Sequence, residues 1–137
     1  AVLTRLSNWE ARLSTFLKEN SKREFSYGEF DCALFAASAA EAVTGEDRAA
    51  DFRERYDDRE GAARALREIG EGTLLATYQA RFDEKPVAFA KRGDLVWDGE
   101  RIGVCNGNHA LFVGQEGERE GLIRFDMSVA VKAFEVG

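Results

Sequence analysis

The sequence predicts an α+β fold, in which N-terminal helices pack on a C-terminal antiparallel sheet of about five strands. Apolar residues recur with helical spacing before Pro86, and short runs with strand-like spacing follow it. A group of helices followed by a group of strands indicates α+β rather than alternating α/β architecture. The length of 137 residues, with one proline and no linker-like tract, predicts one domain over residues 1–137.

Four helices are predicted, and most begin after a residue that can cap a helix. Ser7, with Glu10 three residues later, fits a capping box for a first helix that ends near Asn20. Asp31 is a suitable N-cap for a second helix, which begins at Cys32 and stops at Gly45. The small residues of this second helix allow close packing on a sheet, so we expect it to be central. The third and fourth helices are predicted at about 58–69 and 73–82.

The strands are predicted from short apolar runs that turn signals separate. Asp98-Gly99 and Asn106-Gly107 are typical of two-residue hairpin turns. The predicted strands are 95–97, 101–105, 111–113, 122–125 and 131–136.

The composition disfavours nucleic acid and membrane as partners. The formal charge is −6 and no stretch concentrates Lys and Arg, so phosphate backbones are repelled. The longest apolar run, around 33–40, is too short to cross a bilayer. The N-terminal residues lack the continuous apolar core of a signal peptide. We therefore expect synthesis in the cytoplasm, no membrane insertion and free thiols.

Cys32 is the first candidate for chemistry because it begins a predicted helix. The positive end of the helix dipole and the free backbone N–H groups there favour a thiolate, which is the nucleophilic form. The alternative is that Cys32 is a small buried hydrophobic residue.

Two motifs together resemble those of NlpC-like cysteine peptidases, which have a reduced papain-like fold. They are Tyr27-Gly28-x-x-Asp31-Cys32-Ala33-x-Phe35 and Arg92-Gly93-Asp94-Leu95-Val96. The resemblance implies that Cys32 is the nucleophile, on a helix packed against the antiparallel sheet. It also implies that Tyr27 helps to bind an acyl oxygen, although this residue could equally anchor its loop. Asp31 would orient a base or bind substrate, unless it only caps its helix.

A wider pattern is similar to a small branch of this superfamily that tailed phages and gene transfer particles carry. Its marks are Trp9, the motif at 27–35, Thr44-Gly45-x-Asp47, Gly61-Ala62, the motif at 92–95, Ala110-Leu111-Phe112-Val113-Gly114 and Val136-Gly137. This resemblance implies a tail-tip or tail-assembly component, with other phage tail proteins as partners and the virion tail as its location.

The partners that an active cysteine needs are incomplete in this sequence. Where the resemblance places a histidine before Val-Gly-Ile, the chain has Arg101-Ile102-Gly103-Val104. Arginine stays protonated and cannot act as a base, although it could hold a thiolate. We expect Arg101 and Gly103 to line the substrate or thiol pocket. His109, the only histidine, would serve as base in a shifted register, and otherwise it is a solvated turn residue.

Cys105 alternates with Arg101 and Gly103, on the strand face that we expect to point toward the helix of Cys32. Its simplest role is in the core, because a bond to Cys32 would require a short Cα separation. One histidine and two distant cysteines do not make a tetrahedral zinc site without carboxylates. We therefore predict no metal and no cofactor.

The leading hypothesis is a tail-associated protein with an NlpC-like fold, descended from a hydrolase and catalytically degenerate. The alternative is an active cysteine peptidase or amidase that cleaves cell-wall (peptidoglycan) peptides when a phage infects its host, with His109 or a partner residue as base. A third hypothesis is a cytoplasmic thiol-dependent acyltransferase on the same scaffold. An imidazole nitrogen within hydrogen-bond reach of the Cys32 sulfur would favour an enzyme, and Arg101 facing the thiol would favour a structural role.

Overall fold

Helices come first along the chain and strands follow, as the sequence predicts. The computed structural model describes residues 2–114 and 119–137. Its helices are α1 (Trp9–Glu19), α2 (Cys32–Thr44), α3 (Arg59–Glu68) and α4 (Leu74–Arg81). Its strands are β1 (Asp83–Lys85), β2 (Leu95–Trp97), β3 (Ile102–Cys105), β4 (His109–Val113), β5 (Leu122–Asp126) and β6 (Lys132–Glu135). Short 3-10 turns occupy Ala50–Phe52, Val87–Phe89 and Met127–Val129.

The six strands of the described residues form one sheet with the spatial order β1-β6-β2-β3-β4-β5. Each neighbouring pair is antiparallel. Strands β2 to β5 follow one another as a meander. The last strand, β6, returns to the other edge of this meander and lies between β1 and β2. The predicted α+β class is confirmed, with six strands in place of about five.

Strand β1 is the one that the sequence did not predict. Its three residues, Asp83–Lys85, are all charged and show no apolar alternation. Lys85 pairs with Ala133 of β6, and its ammonium group forms ion pairs with Asp94 and Glu135. Tertiary contacts, rather than intrinsic strand preference, therefore hold this segment in the sheet.

Three predicted helix starts are confirmed by side-chain caps. The side chains of Asp31, Asp58 and Thr73 each accept a hydrogen bond from the backbone N–H three residues later. Gly45 ends α2 in the left-handed conformation, with φ of 81°. The sequence therefore places the limits of α2 correctly at both ends.

The first helix begins differently from the prediction. Its N-cap is Asn8, which makes no side-chain capping bond, so the predicted capping box of Ser7 and Glu10 is wrong. The backbone N–H of Trp9 donates to the Leu6 carbonyl (3.1 Å). The guanidinium of Arg5 lies 4.2 Å from the Trp9 ring and packs against the start of the helix.

The two hairpins that flank β3 turn one residue later than predicted. The N–H of Asp98 donates to the Arg101 carbonyl (3.1 Å), and that of Asn106 donates to the His109 carbonyl (2.8 Å). The central residues of the two turns are therefore 99–100 and 107–108. The Asp98 carboxylate also accepts the Arg101 N–H (2.6 Å), which favours the later turn.

Asp94, in the second motif, is a fully buried junction between distant parts of the chain. One carboxylate oxygen accepts hydrogen bonds from the Val136 N–H (3.0 Å) and Arg5 Nη2 (3.2 Å). The other accepts from Lys85 Nζ (2.6 Å) and the Lys91 N–H (3.0 Å). These four bonds satisfy a charge that would otherwise be costly to bury, so the role of Asp94 is structural.

One face of the sheet packs against the helices and forms the larger core. Buried residues of this face pack with residues of α1, α2 and α4. The strand residues are Leu95, Trp97, Ile102, Val104, Val113 and Phe134, and the α2 residues are Phe35, Ala36, Ala39, Ala40 and Val43. The small residues of α2 allow its close approach to β3, as expected for a central helix.

The opposite face of the sheet has a separate core that short 3-10 turns cover. Its buried residues are Val96, Cys105, Ala110, Phe112 and Ala133, and Val87, Met127 and Val129 pack against them. The expectation that Arg101, Gly103 and Cys105 face the helix of Cys32 is therefore wrong. Ile102 and Val104 occupy that face instead.

Both cysteines are free thiols, and they lie on different sides of the sheet. None of the helices in the described part of the chain has the length and apolar character that crossing a bilayer requires.

Candidate site at the start of helix α2

The cap of α2 fixes the position of Cys32. Asp31 is buried, and its Oδ1 accepts the N–H of Leu34 (2.9 Å) while its Oδ2 accepts the N–H of Gly28 (3.2 Å). The Tyr56 hydroxyl donates a third bond to Asp31 Oδ2 (2.5 Å). Asp31 thus joins the preceding turn, the helix start and a distant loop.

Gly28 lets that distant loop pass directly beside the helix start. Its φ is +84°, and an added Cβ would lie 1.9 Å from the Tyr56 carbonyl oxygen. The Gly28 carbonyl accepts a hydrogen bond from the Glu54 N–H (3.1 Å). The glycine of the first motif is therefore required by backbone conformation and by close contact.

The thiol of Cys32 is stabilised in its protonated form. Burial, followed by the negative charge of Asp31, raises the pKa of Cys32 from 9.0 to about 12. Hydrogen bonding from the backbone of Ile102 and Ala33 lowers the pKa, and Arg101 has a smaller effect in the same direction. Desolvation and the neighbouring carboxylate therefore outweigh the influences that favour a thiolate.

Two tyrosines that belong to neither motif complete the surroundings of Cys32. Tyr78 is buried, and its hydroxyl donates to the carbonyl oxygen of Ala33. Burial raises the pKa of both Tyr56 and Tyr78, and the nearby Asp31 and Cys32 contribute to each rise. Both phenols are therefore protonated donors. No local sequence spacing links either tyrosine to Cys32, and only the tertiary fold brings them there.

Arg101 is bound on the side of the sheet that faces away from α2. Its Nε donates to Asp98 Oδ2 (3.2 Å), and its guanidinium lies 5.0 Å from the Phe112 ring and 5.1 Å from the Phe125 ring. A Cβ on Gly103 would meet the Phe112 ring at 2.7 Å, which places this glycine against the same face. The prediction that Arg101 and Gly103 line the substrate or thiol pocket is therefore wrong, because both residues lie on the face of the sheet opposite to Cys32.

His109 lies far along the sheet from Ile102, the β3 residue whose backbone forms a hydrogen bond with the Cys32 thiol. Val104 pairs with Leu111, so Ile102 and His109 are offset by four residues along antiparallel strands, or roughly 13 Å. The imidazole Nδ1 is 3.1 Å from Asn108 Oδ1, at the rim of the hairpin turn. Partial burial and the charge of Arg124 lower the pKa of His109.

A cavity of about 160 Å³ lies beside Cys32, among α2, α3, α4 and the loop at 48–56. It brings together three of the predicted site residues, namely Tyr27, Asp31 and Cys32. Most of the remaining wall is aromatic or aliphatic and comes from residues that the sequence did not single out, such as Phe52 and Leu66.

A family described as a domain of unknown function, DUF6950, matches residues 4–136. The chain belongs to this family. No curated protein and no solved structure matches the chain.

The DUF6950 domain thus combines a protonated thiol, two protonated phenols and a carboxyl group at one helix start. Its single imidazole lies elsewhere on the sheet. Within residues 2–114 and 119–137, no cluster of three or more His, Cys, Asp or Glu residues could hold a metal ion. An acyl transfer to Cys32 would need a base for the thiol and an acid for the leaving amine. Among the described residues, no imidazole lies near Cys32 to fill those two roles.

Proposed function

We propose that this chain is a phage tail-associated protein with an NlpC-like fold, which acts at the tail tip or in tail assembly and does not hydrolyse peptides. The observation behind this proposal is the state of Cys32. The residue lies at a helix start against an antiparallel sheet, as the resemblance implies, yet its thiol is protonated and no imidazole is near it.

The packing of α2 supports the papain-like part of the proposal. Cys32 begins the helix that packs on β3, and an antiparallel meander continues from β3 through β4 to β5. The order along the chain is the one that the resemblance implies: nucleophile motif, helix, then the sheet whose β2 follows the Arg92-Gly93-Asp94 motif.

The chemistry of the site supports a loss of catalysis. A thiol with a pKa of about 12 is ionised in roughly one molecule in 10⁵ at pH 7. The residue in the histidine position, Arg101, is held by Asp98 and two phenylalanine rings on the other face. Among the described residues, no imidazole lies near Cys32 to activate the thiol and return its proton to a leaving amine.

The placement in a phage tail rests on the wider pattern of residues between Trp9 and Gly137 that resembles the phage branch. Loss of turnover fits such a role, because a scaffold that binds neighbouring proteins needs no nucleophile. Its partners would be other tail proteins. The alternative, an active peptidase on peptidoglycan peptides, requires a base that the described residues do not place beside Cys32.

The thiol chemistry is tested by alkylation with iodoacetamide between pH 6 and pH 11, followed by peptide mapping to separate Cys32 from Cys105. We expect Cys32 in the folded protein to react at pH 7 at least about a hundredfold more slowly than an unfolded control, because the pKa of its thiol is raised. Cleavage of wall-derived peptides by the wild type that Cys32→Ala abolishes would establish the peptidase instead.

The tail assignment is tested in a phage that encodes this chain. Purified virions should contain the protein in the tail fraction, and Cys32→Ala should be incorporated and remain infectious to the same extent as Cys105→Ala. Absence of the chain from purified tails would contradict the assignment, whatever the state of the thiol.

A further inference from the structure

We propose that the cavity beside Cys32 is a binding site for one small neutral aromatic ring. The ring would be either a free molecule or an aromatic side chain that a partner inserts. This inference depends neither on a location in a phage tail nor on the reactivity of Cys32. It rests on the size of the cavity, the chemistry of its wall and the state of its polar groups.

The size of the cavity sets the size of the ligand. Its volume is about 160 Å³. Apolar cavities of about 150 Å³ in protein interiors stay dry and bind benzene, so one six-membered ring is the natural occupant. A two-ring system would exceed the space unless the wall moved.

The wall offers apolar and aromatic surfaces to such a ring. Phe52, Tyr78 and Phe82 are buried, and Leu66 and Leu74 are half-buried along the same wall. The rings of Tyr78 and Phe82 are already stacked, with centroids 5.4 Å apart. A further ring could continue this stack or meet its edge, and either arrangement stabilises aromatic pairs.

The polar groups of the wall are satisfied without a ligand. Asp31 accepts three hydrogen bonds, and the Tyr78 hydroxyl donates to the Ala33 carbonyl. The Thr77 hydroxyl donates to the Thr73 carbonyl (2.7 Å). Among the described residues, no buried side-chain nitrogen or oxygen lacks a hydrogen-bond partner. A charged ligand would lose its hydration, and the one carboxylate of the wall, Asp31, already accepts three hydrogen bonds, so a neutral ligand fits best.

The charged residues at the edge of the cavity do not change this conclusion. The guanidinium of Arg81 makes two hydrogen bonds to the carboxylate of Asp51 (2.6 and 2.9 Å). That of Arg48 donates to the Arg81 carbonyl (2.5 Å) and lies 5.7 Å from the Phe82 ring. Both arginines therefore hold the loop against α4.

Binding can be measured by ¹⁹F NMR of fluorobenzene titrated with the full chain. We expect saturable broadening and displacement by toluene. Benzoate and benzylammonium should compete roughly tenfold or more weakly, because each must leave its charge unpaired in an apolar space. Competition by benzoate as strong as by toluene would overturn the neutral class and indicate pairing with the arginines.

Competition by N-acetylphenylalanine amide distinguishes the two sources of the ring. Displacement of fluorobenzene by this amide would show that the opening admits a side chain attached to a backbone. Displacement by toluene alone would identify a site for a free small molecule. Absence of saturable fluorobenzene binding to the wild type would overturn the proposal.

A matched pair of variants places the ligand in this cavity. Ala62→Phe puts a ring into the cavity from α3 and should abolish fluorobenzene binding, whereas Ala63→Phe, at the next and exposed position, should leave it unchanged. Equal binding by both variants would place the ligand elsewhere. If Ala62→Phe does not fold, Leu74→Ala tests the same point. This substitution enlarges the cavity, so the variant should bind 1-fluoronaphthalene at least about tenfold more tightly than the wild type.

Discussion

Asp31 and Cys32 are neighbours in the chain with opposing electrostatic effects. A helix start stabilises a negative group by about 0.3–1 kcal/mol at exposed positions. A rise in the thiol pKa from 9.0 to about 12 corresponds to roughly 4 kcal/mol in favour of the protonated form. Burial and the Asp31 carboxylate therefore exceed the helix dipole, and the position of Cys32 in the helix does not make it reactive.

Replacement of the capping carboxylate by an amide should lower the pKa of the thiol. Asp31→Asn keeps an oxygen that can accept the Leu34 N–H but removes the negative charge beside Cys32. We expect the alkylation profile of Cys32 to shift to lower pH, with about 1 kcal/mol or more lost from the free energy of unfolding. Asp58→Asn, at the exposed cap of α3, is the control and should leave the thiol profile unchanged. An unshifted profile in Asp31→Asn would contradict the assigned cause.

The raised pKa of Cys32 also predicts a loss of stability in alkaline solution. Between about pH 9 and pH 12 the unfolded thiol loses its proton while the folded thiol keeps it. The native state then binds more protons than the unfolded state, so the free energy of unfolding falls as the pH rises, by at most about 1.4 kcal/mol per pH unit from this group. Urea unfolding at pH 8 and pH 10.5 should show a smaller decline for Cys32→Ala than for the wild type. Parallel declines would refute the prediction.

At the scale of the elements, the turn before α2 is the point where two distant segments meet. Gly28 has φ of +84° and leaves no room for a Cβ beside the Tyr56 carbonyl. The same turn donates the Gly28 N–H to Asp31, so a displaced backbone would also weaken the cap of α2.

Gly28→Ala should therefore destabilise the fold by about 2–4 kcal/mol, since conformational strain and a backbone clash add together. Gly72→Ala is a matched control, because Gly72 also has positive φ (+97°) but no atom within 4 Å of the added Cβ. It should cost only about 1 kcal/mol. Chemical denaturation measures both variants, and equal losses would show that contact with Tyr56 contributes nothing.

The elements that could be predicted from sequence are those with local signals. Asp31 and Gly45 mark the two ends of α2 by their own chemistry, and the strand at 95–97 was found at its observed limits. β1 could not be found, because its charged residues enter the sheet through pairing with a strand about 50 residues later. Local patterns contain no information about such long-range pairing.

The candidate site was predicted in part, and the reason for the error lies in β3. Alternation along a strand shows which residues share a face, but not which face meets the helix. All four residues of β3 are buried, so burial on both sides removed the contrast that would have distinguished Ile102 from Gly103. Only the tertiary fold brings Tyr56 and Tyr78 close to Cys32. The same is true of the other residues that line the cavity.

At the scale of the whole molecule, Asp94 connects the N-terminal segment, β1 and the end of β6. Its carboxylate has no solvent exposure and accepts bonds from Arg5, Lys85 and two backbone N–H groups. The Arg5 guanidinium also donates to the carbonyls of Val136 and Gly137. The second motif therefore stabilises the tertiary fold and does not provide a ligand-binding group.

Asp94→Asn should destabilise the protein by about 3–5 kcal/mol, because it leaves the largely buried Arg5 guanidinium without its carboxylate partner and Lys85 with Glu135 alone. Asp51→Asn removes a carboxylate that also pairs with arginine but is about half exposed, and it should cost at most about 1 kcal/mol. Urea denaturation at neutral pH compares the two variants. Losses of similar size would show that the junction of Asp94 is not a principal source of stability.

The position of β6 has a consequence for synthesis. This strand is made after β2 to β5, yet it lies between β1 and β2 in the sheet. Before β6 has left the exit tunnel of the ribosome, β2 lacks a neighbour on one side and β1 lacks its partner in the sheet. Such a gap invites pairing with foreign strands, so chaperone capture of stalled nascent chains should end abruptly once β6 emerges.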